Sequence, residues 1–297
     1  VLIAPPTGDP RRVRLVIDGE PQSLNPDLDP DLWSFRIAWD AIYEPLLRPR
    51  PAGESAAGNS GEPGFDPVLA ERWSVEDEGG RVLFYMRPGV TFSDGRPCTA
   101  FDVAFTFDRL RSGKTHAPRA QVSLADIDRI EVVNKELVRF VMKRPSAYLL
   151  SAIADIGILP EHVFAKGDFN YHPANRHPVG TGPLKLVEWE RGRRITLARN
   201  ETYWGEPAAA DAIEIEIQSD AVKALGRAKR GELDVLARIP WAYVPEQLES
   251  PSLRARFETV RRPTSRFAFV AWNTLHPPLS DPAVRRAISI GLDRRRV

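Results

Sequence analysis

Apolar and polar positions along the chain follow two periods, and the switches between them divide it into elements. Arg12 to Ile17 sets valine, leucine and isoleucine between arginines, a strand that ends in the turn Asp18-Gly19-Glu20-Pro21. Trp33 to Leu47 places Phe35, Ile37, Ala38, Ala41, Ile42 and Leu46 at helical spacing. Arg81 to Met86 and Gly89 to Phe92, joined by Arg87-Pro88-Gly89, read as a hairpin. Thr99 with Asp102 three residues on caps a helix whose apolar surface is Phe101, Val103, Phe105, Phe107 and Leu110. Ile127 to Val133 and Leu137 to Met142 read as paired strands turning at Asn134-Lys135.

Beyond Pro178 a second hairpin is expected, Leu184 to Trp189 with Arg194 to Arg199. Ile213, Ile215 and Ile217 then alternate with Glu214 and Glu216 as a half-buried strand. A helix from Asp220 to Arg230, stopped by Gly231, leads to a strand from Leu233 to Ile239. Strand, helix and strand at this spacing predict a right-handed βαβ crossover, with ligands beyond the carboxyl ends of the strands. The last residues, Ser280 to Val297, open a helix with Ser280 as its cap and Val284, Ile288 and Leu292 as an apolar stripe. With no following element to cover that stripe and no natural start at Val1, the chain is expected to be part of a longer protein.

Composition narrows the class. With 297 residues, 42% hydrophobic and 27% charged, about two domains are expected, in a loop-rich mixed fold given 27 prolines and 20 glycines. Lysine plus arginine total 41 against 40 acids, so the net charge of +1 offers nothing for a nucleic-acid backbone. No apolar run reaches the ~20 residues of a membrane span. One cysteine, Cys98, rules out an internal disulfide or a cysteine-built metal site. The segment Pro49 to Pro67, rich in Gly, Ser, Ala and Pro, is expected to be a mobile surface loop.

Chemical motifs dissolve on inspection. Ser112-Gly113-Lys114-Thr115 has the tail of a phosphate loop, but Asp108 stands where its leading glycine belongs. Asp27, Asp29 and Asp31 have calcium-loop spacing, but Leu32 and Ala38 stand at the turn glycine and closing glutamate. Gly180-Thr181-Gly182 lacks the third glycine of a dinucleotide fingerprint. The histidines (His116, His162, His172, His177 and His276) are scattered through loops, and Cys98 reads as a packed small hydrophobe. No acid, base and nucleophile assemble, so no enzyme, cofactor or metal is expected.

The order of the short motifs is the specific signal. Ser23-Leu24-Asn25-Pro26 precedes Ile42-Tyr43-Glu44-Pro45-Leu46-Leu47 and Leu69-Ala70-Glu71-Arg72-Trp73-Ser74. Then come Phe84-Tyr85-Met86-Arg87-Pro88-Gly89-Val90-Thr91-Phe92-Ser93-Asp94-Gly95, Thr99-Ala100-Phe101-Asp102-Val103, Val179-Gly180-Thr181-Gly182-Pro183, Arg199-Asn200-Glu201-Thr202-Tyr203-Trp204-Gly205, Gly231-Glu232-Leu233-Asp234-Val235 and Asp281 to Asp293. From about Arg12 to Val297 this series resembles the family 5 extracellular solute-binding proteins of bacterial ABC importers, which include oligopeptide-, dipeptide- and nickel-binding proteins. Departures lie at Cys98, where leucine is usual, at Phe101, where an acidic or polar residue is usual, and in a longer loop from Pro51 to Phe65.

The resemblance implies an α/β, periplasmic-binding-protein-like (type II, Venus-flytrap) lobe with an inserted α+β domain, the second ligand-gripping lobe being mostly absent. Residues 1–48 would form the first part of that lobe, 49–176 the inserted domain, 177–262 the rest of the lobe and 263–297 the start of the second. It implies a substrate-capturing subunit of an ABC importer, with a peptide or small-molecule ligand and membrane permease subunits as partners. A nickel chelate, an oligosaccharide or a regulator's sensing role are the alternatives. The protein is expected to be monomeric, periplasmic or extracellular, with a lipid anchor left open, and to bind no nucleic acid. The cleft wall is expected from Asp31, Leu32, Trp33 and Ser34, from Pro240 and Trp241, and from Trp272 and Asn273, as substrate-binding residues. For Trp33, Trp241 and Trp272, ligand contact and plain packing stand open alike. Pro178 to Pro183 is expected to be a rigid crossover whose glycines allow unusual backbone angles, with a mobile hinge near Arg261-Arg262-Pro263-Thr264.

Overall fold

In a computed structural model, residues 2–3, 11–28, 30–39, 41–50, 64–146, 148–239, 244–260 and 269–293 are described. The elements run β1 (Leu2–Ile3), β2 (Arg12–Ile17), α1 (Leu32–Ala38), β3 (Leu47–Pro49), β4 (Phe65–Pro67), β5 (Ala70–Glu76) and β6 (Arg81–Met86). They continue through α2 (Ala100–Arg111), α3 (Pro118–Ser123), β7 (Ile127–Asn134), β8 (Leu137–Met142), α4 (Leu149–Ala154) and α5 (Glu161–Phe164). The remainder is β9 (Leu184–Glu190), β10 (Arg194–Arg199), β11 (Ala212–Ile217), α6 (Ala221–Arg230), β12 (Val235–Leu236), α7 (Val244–Leu248), α8 (Pro251–Arg254), β13 (Glu258–Thr259) and α9 (Pro282–Gly291).

Residues 1–260 form one compact unit and 261–297 a second. In the first, a sheet ordered β13-β1-β12-β2-β11-β10-β9 draws its strands from both ends of the unit, and a four-stranded sheet β5-β6-β8-β7 comes from between. Strand β2 runs parallel to β11 on one side and to β12 on the other, so α6 crosses over β2. That is the expected crossover, with one strand threaded between its two arms. Asp220 caps α6 on Val222 N and Lys223 N, and Gly231 ends it in the left-handed conformation. The second sheet carries α2, whose Thr99–Asp102 capping box is formed. Phe107 meets Phe140 edge-on at 5.0 Å, and Phe140 meets Phe84 at 5.3 Å. One set of buried apolar contacts runs from Ile17, Ile195, Leu197 and Ile215 of the first sheet to Phe84, Phe107 and Phe140 of the second.

Several local expectations change. Helix α1 stops at Ala38, because Trp39 turns extended and residues 41–46 spend their backbone groups on distant partners. Ile42 O accepts from Gly182 N, Ala41 O from Leu184 N, Glu44 O from Ile158 N and Leu46 O from Val68 N and Ala70 N. Gly89 to Phe92 does not pair with β6, whose neighbours are β5 and β8, so the hairpin partner is the unforeseen strand β5. The strand expected over Leu233 to Ile239 is only β12, two residues long. Phe101 is 48% exposed rather than part of the apolar face of α2. In the second unit Asp281, not Ser280, caps α9 by accepting from Ala283 N. The loop residues 51–63 and the hinge candidates Arg261 to Thr264 lie outside the described residues. The ends of that loop are zipped by β3 and β4, antiparallel from Leu47↔Pro67 to Pro49↔Phe65.

Gly180 and Gly182 do not use unusual backbone angles. Neither has positive φ; a Cβ on Gly180 would lie 1.9 Å from Ile42 O, and one on Gly182 2.5 Å from Ala41 O. Absence of a side chain lets two backbones touch here. Close by, Glu44 is fully buried and accepts from Tyr203 Oη at 2.8 Å and Trp204 Nε1 at 2.9 Å. Burial pushes its carboxyl up, the Trp204 and Tyr203 donors opposing.

Candidate ligand site

The parallel strands β2, β11 and β12 end along one edge of the sheet, at Asp18, Gln218 and Ala237-Arg238. Gln218 N donates to Ile17 O, and Arg238 Nη1 donates to Asp18 Oδ2 at 3.0 Å, tying the three strand ends together. Asp18 Oδ1 accepts from Trp33 Nε1 at 2.6 Å, and Gly19 lies against the Trp33 ring. Glu20 Oε1 accepts from Trp189 Nε1 and from Gly192 N, fastening the turn after β2 to the β9–β10 hairpin.

Asp31 begins α1. Its Oδ1 accepts from Trp33 N and Ser34 N, its Oδ2 from Gln22 N and from Ser34 Oγ at 2.6 Å. Burial pushes this carboxyl up, but the Ser34 hydroxyl and the three backbone N–H groups outweigh it, leaving the group below the usual carboxylate range. Asp31 is therefore an ionised anchor for the loop, with both oxygens engaged.

Two hollows flank the loop and share Pro30 and Asp31. The larger, about 460 Å³, is lined by Ser34 and by Gln22, His116, Tyr171 and Arg176 among others. The smaller, about 280 Å³, is lined by Leu32 and by Asp27, Phe35, Arg119 and Asp155 among others. Of the expected site residues, Asp31, Leu32 and Ser34 thus form a ridge between two concavities. Trp33 lines neither; it is 7% exposed and packs in the core, with its N–H on Asp18. Pro240 and Trp241 lie outside the described residues. Trp272 is half-buried and Asn273 accepts from Leu275 N, both within the second unit.

Sequence reasoning missed the opposite walls, residues 116–123 and 169–176. The signal was present as a dense run of polar and aromatic residues, Asn170-Tyr171-His172-Pro173-Ala174-Asn175-Arg176, in a loop. Here His116 meets Tyr171 edge-on at 5.8 Å, and Arg176 lies over Trp189 at 4.7 Å while donating to Gln22 O. Among the described residues no set of three His, Cys, Asp or Glu side chains is arranged to hold a metal ion, and no helix is long and apolar enough to cross a membrane. Cys98 is buried, and burial raises its thiol well above the usual range.

Trp33→Ala should cost about 3–5 kcal/mol of stability, the range for emptying a buried large aromatic. Trp33→Phe should recover part of it. Chemical denaturation checks this; an unchanged midpoint for Trp33→Ala would show the ring to be dispensable for packing.

Residues 64–297 match the family model described as bacterial extracellular solute-binding proteins, family 5 Middle. The probable di/tripeptide-binding protein 5 of Pseudomonas aeruginosa (strain UCBPP-PA14) is 31% identical over 252 residues, covering 77% of this chain and 46% of that protein. Among solved structures, NikZ from Campylobacter jejuni in complex with Ni(L-His) superposes with a TM-score of 0.75 at 20% identity, covering 96% of this chain and 54% of the other. The oligopeptide-binding protein AppA from Bacillus subtilis, in complex with a nonapeptide, gives 0.71 at 23% identity, covering 80% and 46%. The chain spans about half the length of the relatives it matches.

Proposed function

The chain belongs to the family 5 bacterial extracellular solute-binding proteins, a family of binding proteins rather than enzymes, and from that premise we propose that it captures peptides for an ABC importer. The observation that carries this reading is the 31% identity to a di/tripeptide-binding protein across 77% of the chain. The geometry supports it: the tied carboxyl ends of β2, β11 and β12 meet a ridge flanked by two hollows, the place where parallel sheets present ligands. Capture requires only a ligand that binds a closed state better than an open one. On residues 1–260 the proposed ligand contacts are the ridge Asp31, Leu32 and Ser34, with Trp33 fixing the ridge from beneath. The protein works as a monomer outside the cytoplasm, hands its ligand to membrane permease subunits and turns nothing over.

Mass spectrometry of ligands that co-purify with the full-length protein tests this. Peptides of a few residues are expected; a nickel chelate, an oligosaccharide or an opine in their place would overturn the ligand assignment.

A further inference from the structure

We propose that the smaller hollow is a subsite for a cationic side chain or amine of the bound ligand, with its aliphatic stem along the apolar walls and its ammonium beside Asp27. This rests on the peptide-capture reading and adds a charge to the ligand.

The walls suit such a stem. Pro26, Pro30, Leu32, Phe35, Ala120 and Ile156 give an apolar channel of about 280 Å³. Its acidic side chains are Asp27, Asp31 and Asp155, and among the described lining residues Arg119 is the one cation. The three carboxylates are not equivalent. Asp31 has both oxygens engaged by the start of α1. Asp155 pairs with Arg119 at 2.6 Å at the mouth, where the two side chains are 46% and 72% exposed. Asp27 is different: it is 6% exposed, and among the described residues Oδ1 accepts only a long bond of 3.3 Å from Gly157 N while Oδ2 has no hydrogen-bond partner. A buried carboxylate without a counter-charge is expensive. A ligand ammonium supplies that charge where the protein does not, and Arg119, mostly in solvent, screens Asp155 rather than Asp27.

The groups facing Asp27 agree. Burial pushes its carboxyl up to about 8, opposed by the Gly157 N–H and reinforced by Asp155; Tyr43 is the other buried titratable group alongside. An arriving cation favours the carboxylate, so binding near pH 7 should expel a proton.

Two titrations separate this inference from the reading beneath it. The first uses n-butylammonium against 1-butanol, followed by amide shifts of Gly157 and Ala120. Saturable shifts with the ammonium alone, abolished in Asp27→Asn, are expected; equal response to both probes, or persistence in the variant, overturns the subsite. The second titrates the full-length protein with Ala-Lys-Ala and Ala-norleucine-Ala by calorimetry in two buffers of different ionisation enthalpy. The lysine peptide should bind roughly tenfold tighter, the scale of one charge-assisted contact, with proton release. The ratio should fall towards one in Asp27→Asn. Tight binding of both without preference overturns the subsite and keeps peptide capture. Binding of n-butylammonium with neither peptide bound keeps the subsite and overturns peptide capture.

Discussion

Gly180→Ala should abolish stable folding of residues 1–260 or cost more than ~4 kcal/mol, beyond the usual range for a single substitution. The new Cβ would sit 1.9 Å from Ile42 O and 2.6 Å from Ile42 C, and these are backbone atoms that cannot rotate away. Nor can the segments part easily. Ser93 N donates to Gly180 O, Gly182 N to Ile42 O and Leu184 N to Ala41 O, so relief of the clash breaks a ladder that joins three stretches of chain. The matched control is Gly226→Ala in α6, where a Cβ meets nothing closer than the flexible Arg230 Nη1 at 3.5 Å. That change should stabilise by about 0.5–1 kcal/mol, the helix-propensity difference. Thermal and urea unfolding read both; a Gly180→Ala protein with native stability would disprove the close approach.

Asp27→Asn should raise stability at neutral and alkaline pH and flatten its pH dependence. The folded carboxyl stands at about 8 against 3.8 for the free group, so the folded state holds the proton more tightly. Stability from this group is therefore fully present below pH ~4 and is lost as pH rises from there through about 8. The difference between 3.8 and about 8 corresponds to at most ~6 kcal/mol, and relaxation of the site brings the expected gain of the variant above pH 8 to about 2–4 kcal/mol. Asparagine imitates the neutral acid, so wild type and variant should converge near pH 4. Parallel curves from pH 4 to 9 would show that Asp27 titrates normally. A residue that costs stability at working pH is of the kind retained for binding.

Much of the frame was legible because it is written locally. Thr99–Asp102 fixes the start of α2, Gly231 the end of α6, and the alternation Ile213, Ile215, Ile217 the strand β11; each signal acts within a turn or two of its own residues. What failed was decided at long range. Residues 41–46 keep a helical apolar spacing, yet their carbonyls serve Gly182, Leu184, Ile158 and Val68, so tertiary pairing overrides the period. The pattern Ala70 to Glu76 mixes charged and apolar residues and shows as a strand only beside β6. Trp33 lies in the first turn of α1 rather than in a loop, and no sequence pattern says that its ring turns inward to Asp18 while Leu32 and Ser34 line the hollows. The motifs that carry the family resemblance are largely interlocks: Glu44 accepts from Tyr203 and Trp204, and Gly180 and Gly182 receive residues 41–42. They define the fold tightly. They say little about the hollows beside Asp31, whose far walls come from segments such as 116–123 and 170–176.

Capture without chemistry is tested by calorimetric titration of the full-length protein with a tripeptide, followed by chromatography of the peptide recovered from the complex. Saturable one-to-one binding and recovery of the peptide unchanged after prolonged incubation are expected. Absence of binding, or recovery of cleaved peptide, would contradict it.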